Sequence, residues 1–163
     1  MSGVDRREFI KTGVAGLAAA TAVGVSPKLS RAAQSGDYPA VDVAALKSLQ
    51  PGAEVVFEYP DPNAPSLLLR LTEAVPGGVG PGRDIVAYSM LCTHKGCPLN
   101  YLADKKMLVC PCHWSSFDPA KEGRLIIGQA SQSLPMIQLE VSDGMVRATG
   151  MDGIIYGRHT NIL

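Results

Sequence analysis

The pattern of hydrophobic and polar positions predicts a series of short β-strands. Short apolar or alternating runs, separated by Pro, Gly, Asp and Asn, are typical of strands joined by tight turns. The predicted strands cover Glu54–Tyr59, Leu67–Thr72, Ile85–Ser89, Lys106–Val109, Arg124–Ile127, Ile137–Val141, Met145–Ala148 and Ile154–Tyr156. Asp143-Gly144 predicts a hairpin turn, residues 76–82 predict a flexible loop, and residues 41–49 predict one short helix before Pro51.

The first 33 residues have the pattern of an export signal. The pair Arg6-Arg7 resembles a twin-arginine signal, and an apolar run follows over Thr12–Val25. Small residues then stand where a signal peptidase cleaves. We therefore expect residues 1–33 to be a twin-arginine signal segment that sends the chain to the periplasm, with the folded domain over 34–163.

The apolar run could instead remain as a membrane anchor. Only 16 uncharged residues separate Lys11 from Lys28, and glycines interrupt them. A spanning helix needs about 20 strongly apolar residues. We therefore favour cleavage, with membrane association as the alternative.

Composition and charge favour one small β domain. The chain has 163 residues, with 17 Gly, 12 Pro and only 6% aromatic residues, which is typical of a turn-rich protein. The 15 basic and 15 acidic residues balance, and no basic stripe indicates a nucleic-acid partner. The expected fold is all-β, an antiparallel β-sandwich or barrel with a small subdomain at about 88–120.

Two cysteine-histidine boxes carry the chemistry. Residues 92–97 read Cys-Thr-His-Lys-Gly-Cys, and residues 110–115 read Cys-Pro-Cys-His-Trp-Ser. Each box follows a predicted strand and lies in a tight loop, so its cysteine and histidine can point at different metal ions. The donors suit a 2Fe-2S cluster with two thiolates on one iron and two imidazoles on the other. The assignment that matches is Cys92 and Cys110 for sulfur, and His94 and His113 for nitrogen.

This assignment leaves Cys97 and Cys112 over. Bonded to each other they would tie the two boxes together, and the alternative is a pair of free thiols. A tetrahedral zinc site is the other reading of the donor set. It is disfavoured because zinc boxes usually repeat Cys-x2-Cys, whereas each box here gives a cysteine followed by a histidine.

The two boxes resemble the Rieske family, whose fold is a β-rich base with a cluster-binding subdomain. Cys97 and Cys112 match its disulfide-bearing branch, found in cytochrome bc complexes and in arsenite oxidase; the Rieske ferredoxins lack this pair. Further stretches look like the small subunit of arsenite oxidase: Phe117–Pro119, Gly123-Arg124, Ile127–Ala130, Leu134-Pro135 and Ile155–Arg158.

Three positions in and beside the second box bear on the resemblance. Ser115 stands where the family places a hydroxyl donor to a bridging sulfide. Phe117 stands where bc-complex proteins commonly have tyrosine, and Trp114 stands where they usually have glycine. The resemblance therefore implies one hydrogen-bond donor fewer than in the bc branch. His159, outside both boxes, is interpreted as a surface histidine.

The resemblance implies an electron-relay subunit of an oxidoreductase complex with no substrate site of its own. In arsenite oxidase a large molybdenum-pterin subunit would pass electrons to this cluster, and a periplasmic cytochrome c or copper protein would accept them. The alternative is the Rieske subunit of a quinol-oxidising cytochrome bc complex. A stand-alone ferredoxin-like carrier is the third reading.

Overall fold

The computed structural model describes residues 38–162, and its base is an antiparallel sheet of six strands. In sheet order these are β1 (Val41–Ala45), β10 (Met145–Asp152), β9 (Met136–Ser142), β4 (Ile85–Ser89), β3 (Pro65–Arg70) and β2 (Glu54–Glu58). The edge strands β1 and β2 approach each other, so the sheet is nearly closed. The all-β prediction is confirmed.

A second antiparallel sheet of four short strands carries the two boxes. Its order is β5 (Asn100–Leu102), β6 (Met107–Val109), β7 (Ser116–Asp118) and β8 (Arg124–Ile127). The first box lies between β4 and β5, and the second lies between β6 and β7. Each box is therefore a loop held at both ends by paired strands.

Strand β4 separates two hydrophobic cores because its side chains alternate between its faces. Ile85 and Ala87 belong to the core of the base, whereas Val86 and Tyr88 belong to the core that reaches the boxes. The Tyr88 hydroxyl donates to the carbonyl oxygen of Pro119 at 2.8 Å. Burial raises the pKa of this phenol well above its ordinary value, so it remains a donor. The base and the small sheet are thus joined by packing and by this buried hydrogen bond, among others.

Two predicted elements are wrong. Residues 41–49 do not form a helix: β1 covers Val41–Ala45, and a single 3-10 turn follows over Leu46–Ser48. Pairing with β10 outweighs the weak helical pattern, because strand formation depends on cross-strand packing. Ile154–Tyr156 is not a strand, since β10 ends at Asp152 and the segment beyond it is bonded by side chains.

Most other strand predictions agree with the structure. The predicted ranges 85–89 and 124–127 match β4 and β8 at both ends, and the hairpin turn lies at Asp143-Gly144, where both residues have positive φ. Sequence reasoning missed β5 and β7, each only three residues long.

The predicted signal segment and the domain boundary at 33/34 lie outside the described residues and stay predictions. Within residues 38–162, no helix is long and apolar enough to cross a membrane.

Candidate metal centre

The two boxes fold into loops with the same backbone hydrogen bonds. In loop 1 (residues 92–97) the Cys92 amide donates to the Cys97 carbonyl at 2.9 Å, and the Gly96 amide donates to the Cys92 carbonyl at 2.8 Å. In loop 2 (residues 110–115) Cys110 donates to Ser115 at 2.9 Å, and Trp114 donates to Cys110 at 3.0 Å. The loop backbones therefore correspond, with Cys92 equivalent to Cys110, although the histidine is the third residue of loop 1 and the fourth residue of loop 2.

The four predicted ligands come together at these loops. Cys92 and Cys110 are free and buried, and their thiols lie within hydrogen-bonding reach of each other. The rings of His94 and His113 meet edge to face, with centroids 4.7 Å apart. Two thiols and two imidazoles are thus presented as two adjacent pairs.

An unpaired buried atom indicates that these side chains bind something. The Nδ1 atom of His94 is buried and has no hydrogen-bond partner within the described residues. A buried polar atom without a partner costs about 1–3 kcal/mol. Coordination of a metal ion would satisfy it, and the soft sulfur and imidazole donors suit iron. The residues present therefore fit an iron-sulfur group.

The surroundings of the Cys92 thiol also suit a metal ligand. Burial raises its pKa above the ordinary value, hydrogen bonding from the His94 amide lowers it, and the Cys110 thiol beside it raises it further. The net shift is upward. A bound metal supplies the positive charge that holds such a thiol in its deprotonated form.

A disulfide joins the two loops. Cys97 bonds Cys112, with Cα atoms 6.5 Å apart and a sequence separation of 15. Both sulfurs lie within 4.8 Å of the Cys110 sulfur. This sulfur trio is not itself a metal site, because two of its members are bonded to each other. It places the disulfide directly beside one of the predicted iron ligands.

A third loop, residues 128–133, covers the other two loops and was missed by sequence reasoning. The Ala130 amide donates to the hydroxyl oxygen of Ser115 at 3.0 Å, and the Thr93 hydroxyl donates to the Gln132 carbonyl at 2.8 Å. A Cβ at Gly128 would lie 2.3 Å from the Cα of Ser115, so only glycine fits there. The stretch Ile127–Ala130 is among those that resemble the arsenite oxidase small subunit, but nothing in its sequence indicates that it packs on the two loops.

Three side chains around loop 2 differ in exposure. Ser115 is fully buried, and its hydroxyl oxygen accepts from Ala130, which leaves its hydrogen available to another acceptor. Phe117 is fully buried in the core that also contains Cys92 and Cys110. Trp114, by contrast, is 72% exposed.

A surface groove of about 470 Å³ lies elsewhere, between the end of β3 and the small sheet. Its lining includes Arg70, Tyr101, Lys105 and Lys121, and none of the four predicted ligands borders it. The groove is therefore separate from the metal centre.

Comparison with known proteins decides the family. A model of the Rieske [2Fe-2S] domain matches residues 40–138, which include both loops. The chain belongs to the Rieske family. Its Rieske fold and its 2Fe-2S cofactor follow from this membership and from the buried cysteines beside the two histidines.

Individual Rieske proteins resemble the chain to different extents. It is 38% identical over 161 residues to the iodate reductase subunit IdrB of Denitromonas iodatirespirans, covering 97% of this chain and 86% of that one. The cytochrome bc1 Rieske subunit of Streptomyces lividans is 46% identical over only 68 residues, 40% of each chain. The soluble domain of the Rieske protein II (soxF) of Sulfolobus acidocaldarius shares the fold, with a TM-score of 0.67 and 24% identity over 78% of this chain and 85% of that one.

Proposed function

We propose that Cys92 and Cys110 hold one iron of the 2Fe-2S cluster, and that His94 and His113 hold the other. The main support for this assignment is that the two buried thiols and the two edge-to-face imidazoles lie on equivalent loops joined by the Cys97–Cys112 disulfide. Neutral imidazoles in place of thiolates lower the negative charge around the cluster. Adding an electron therefore costs less free energy, and the reduction potential rises to roughly −150 to +300 mV. The chain is a Rieske electron-transfer subunit of an oxidoreductase complex.

The complex we propose is a periplasmic molybdenum-pterin oxidoreductase of the arsenite oxidase type. The stretches after Tyr88 that resemble the arsenite oxidase small subunit support the arsenite oxidase type. The similarity to an iodate reductase subunit over 97% of this chain supports only the coarser proposal of a related oxidoreductase complex. The large subunit holds the substrate, and this chain relays single electrons between it and a periplasmic cytochrome c or copper protein. Exposed His113 is the proposed contact for that exchange.

Iodate reductase is the second candidate for the whole complex, because that relative matches nearly the full chain. The two candidates differ in the direction of electron flow. An arsenite oxidase takes electrons from its substrate, whereas an iodate reductase delivers electrons to it. A quinol-oxidising bc complex is less well supported, since its matching subunit covers 40% of this chain and Phe117 replaces the tyrosine of that branch.

The test is purification of the native complex from the periplasmic fraction. We expect molybdenum and iron in one particle, arsenite-dependent reduction of cytochrome c, and no quinol-dependent reduction. Iodate-dependent oxidation of a reduced carrier, without arsenite activity, would replace the first candidate with the second. Recovery only from detergent-extracted membranes, together with b-type haem, would contradict both.

A matched pair of variants links the activity to this subunit. His113→Ala removes a proposed iron ligand, so the complex should lose electron transfer to cytochrome c while its large subunit still reduces an artificial dye. His159→Ala changes an exposed histidine outside both loops and should leave both activities intact. Equal activity of the two variants with cytochrome c would contradict the proposed relay.

A further inference from the structure

The segment 153–161, which we call the C-terminal strap, packs against loop 1. Its Tyr156 ring lies so close to Gly96 that a Cβ on that glycine would be 2.6 Å from Cδ1 and 3.0 Å from Cε1 of the ring. Real Cβ atoms do not approach carbon so closely. Gly96 is therefore the residue that allows the tyrosine ring to contact the loop backbone.

Polar contacts fix the strap on both sides of Tyr156. The buried side chain of Asn161 accepts from the Ile155 amide at 3.0 Å, and it donates to the Gly153 carbonyl at 2.7 Å and the Tyr38 hydroxyl at 3.1 Å. Ile155 itself is 1% exposed. A short strap with this many bonds cannot shift without breaking them.

An ion pair adds a second anchor. The Arg158 guanidinium donates to both carboxylate oxygens of Asp61, in the loop between β2 and β3, one of these contacts being 3.0 Å long. Bidentate pairs of this kind are stronger and more directional than single contacts. The tyrosine ring is thus positioned by the rigid base of the molecule rather than by the loop it touches.

The two equivalent loops differ in the source of their aromatic side chain. The fifth position of each loop has positive φ, +70° at Gly96 and +62° at Trp114. Loop 2 carries an aromatic side chain of its own there, whereas loop 1 has none. At loop 1 an aromatic ring is supplied instead by Tyr156 from the strap.

We propose that Tyr156 is a positioning residue for the 2Fe-2S cluster. Gly96 is two residues from His94 and adjoins Cys97, so a ring fixed on it restrains the part of loop 1 that carries one proposed nitrogen ligand and one end of the disulfide. Tyr156 is 39% exposed, so it also covers part of the loop from solvent. Solvent access and ligand geometry both set the potential of such clusters.

The test compares Tyr156→Ala with Tyr156→Phe in the native, cluster-loaded protein. The alanine variant should show a broadened electron paramagnetic resonance (EPR) spectrum and a higher midpoint reduction potential at fixed pH. It should also lose iron to a chelator several-fold faster than the wild type. The midpoint should rise because water stabilises the more negative reduced cluster. The phenylalanine variant should match the wild type in all three measurements, because it keeps the ring.

Two further variants exclude a general loss of folding. Ile154→Ala changes an exposed side chain of the same strap and should leave the spectrum and the midpoint unchanged. Gly96→Ala should displace the ring from the other side and also strain the positive φ of that residue, so its spectrum should change at least as much as that of Tyr156→Ala. A Tyr156→Ala variant that unfolds more easily but keeps the native spectrum and midpoint would overturn the proposal, as would a native spectrum in Gly96→Ala.

Discussion

Removing the Ser115 hydroxyl is the perturbation that probes the surroundings of the cluster most closely. Ser115 is fully buried, and its oxygen accepts the Ala130 amide at 3.0 Å. Its hydrogen has no acceptor among residues 38–162 in the hydrogen-bond network. We therefore expect this hydrogen to be donated to a sulfur of the cluster, as the resemblance implies.

The size of the expected shift in midpoint potential follows from the charge of the acceptor. Hydrogen bonds to charged groups contribute about 1.5–3 kcal/mol. For the transfer of one electron, about 1.4 kcal/mol corresponds to about 59 mV. The midpoint of Ser115→Ala should therefore fall by about 60–130 mV when the bond is made only in the reduced state, and proportionally less when both states make it. The Ala130 amide also loses its buried partner, which should lower the free energy of unfolding by about 1–3 kcal/mol.

A redox titration followed by EPR measures the midpoint, with Ser116→Ala as the matched control. The Ser116 hydroxyl donates to the Trp114 carbonyl at 3.2 Å and not to the Ala130 amide, so its removal should shift the midpoint much less. An unchanged or raised midpoint in Ser115→Ala would refute the assignment of its hydrogen to the cluster. A drop of equal size in both variants would show that loop distortion, not the hydroxyl, sets the potential.

Three further results are expected. Phe117→Tyr should raise the midpoint in the same titration, because a phenol in this buried position can donate to a cysteine sulfur; no rise would mean that the hydroxyl finds another partner. Replacing Cys97 and Cys112 with serine should lower the free energy of unfolding, measured in denaturant, by about 3 kcal/mol for a 15-residue loop; equal stability would show that the bond does not constrain the unfolded chain. Hydrogen bonding from Arg158 lowers the pKa of the Asp61 carboxyl, so this pair contributes stability above the ordinary aspartate pKa and loses it as the pH falls through the lowered pKa. Asp61→Asn should therefore lose less stability than the wild type between pH 7 and pH 3, and identical acid profiles would contradict this.

The regular elements that sequence could predict are those with a strong local pattern. Ile85–Ser89 is predicted at both ends because its apolar run begins directly after Asp84 and ends at the polar Ser89, and all five residues of β4 are buried. Residues 41–49 were misread because β1 depends on pairing with β10, about a hundred residues later, and no local pattern encodes that contact. Ile154–Tyr156 was misread because the Asn161 side chain, not a neighbouring strand, binds the Ile155 amide.

The ligand residues could be proposed from sequence because each box contains its own cysteine and histidine. Ser115 and the Cys97–Cys112 pair could be proposed as well, because they belong to the boxes, but the segments that pack on the boxes could not. The third loop and the C-terminal strap reach the boxes only through the fold, by way of the Ala130 amide and the Tyr156 ring. Neither segment contains a metal ligand, so neither has a spacing that indicates its place.

Pulsed EPR of the dithionite-reduced protein, with the histidines labelled with ¹⁵N, tests the mixed sulfur and nitrogen ligation most directly. We expect couplings from two histidine nitrogens on one iron, one of them lost in His94→Ala and the other in His113→Ala. A spectrum without nitrogen couplings, or a purified protein that contains zinc in place of iron and sulfide, would contradict it.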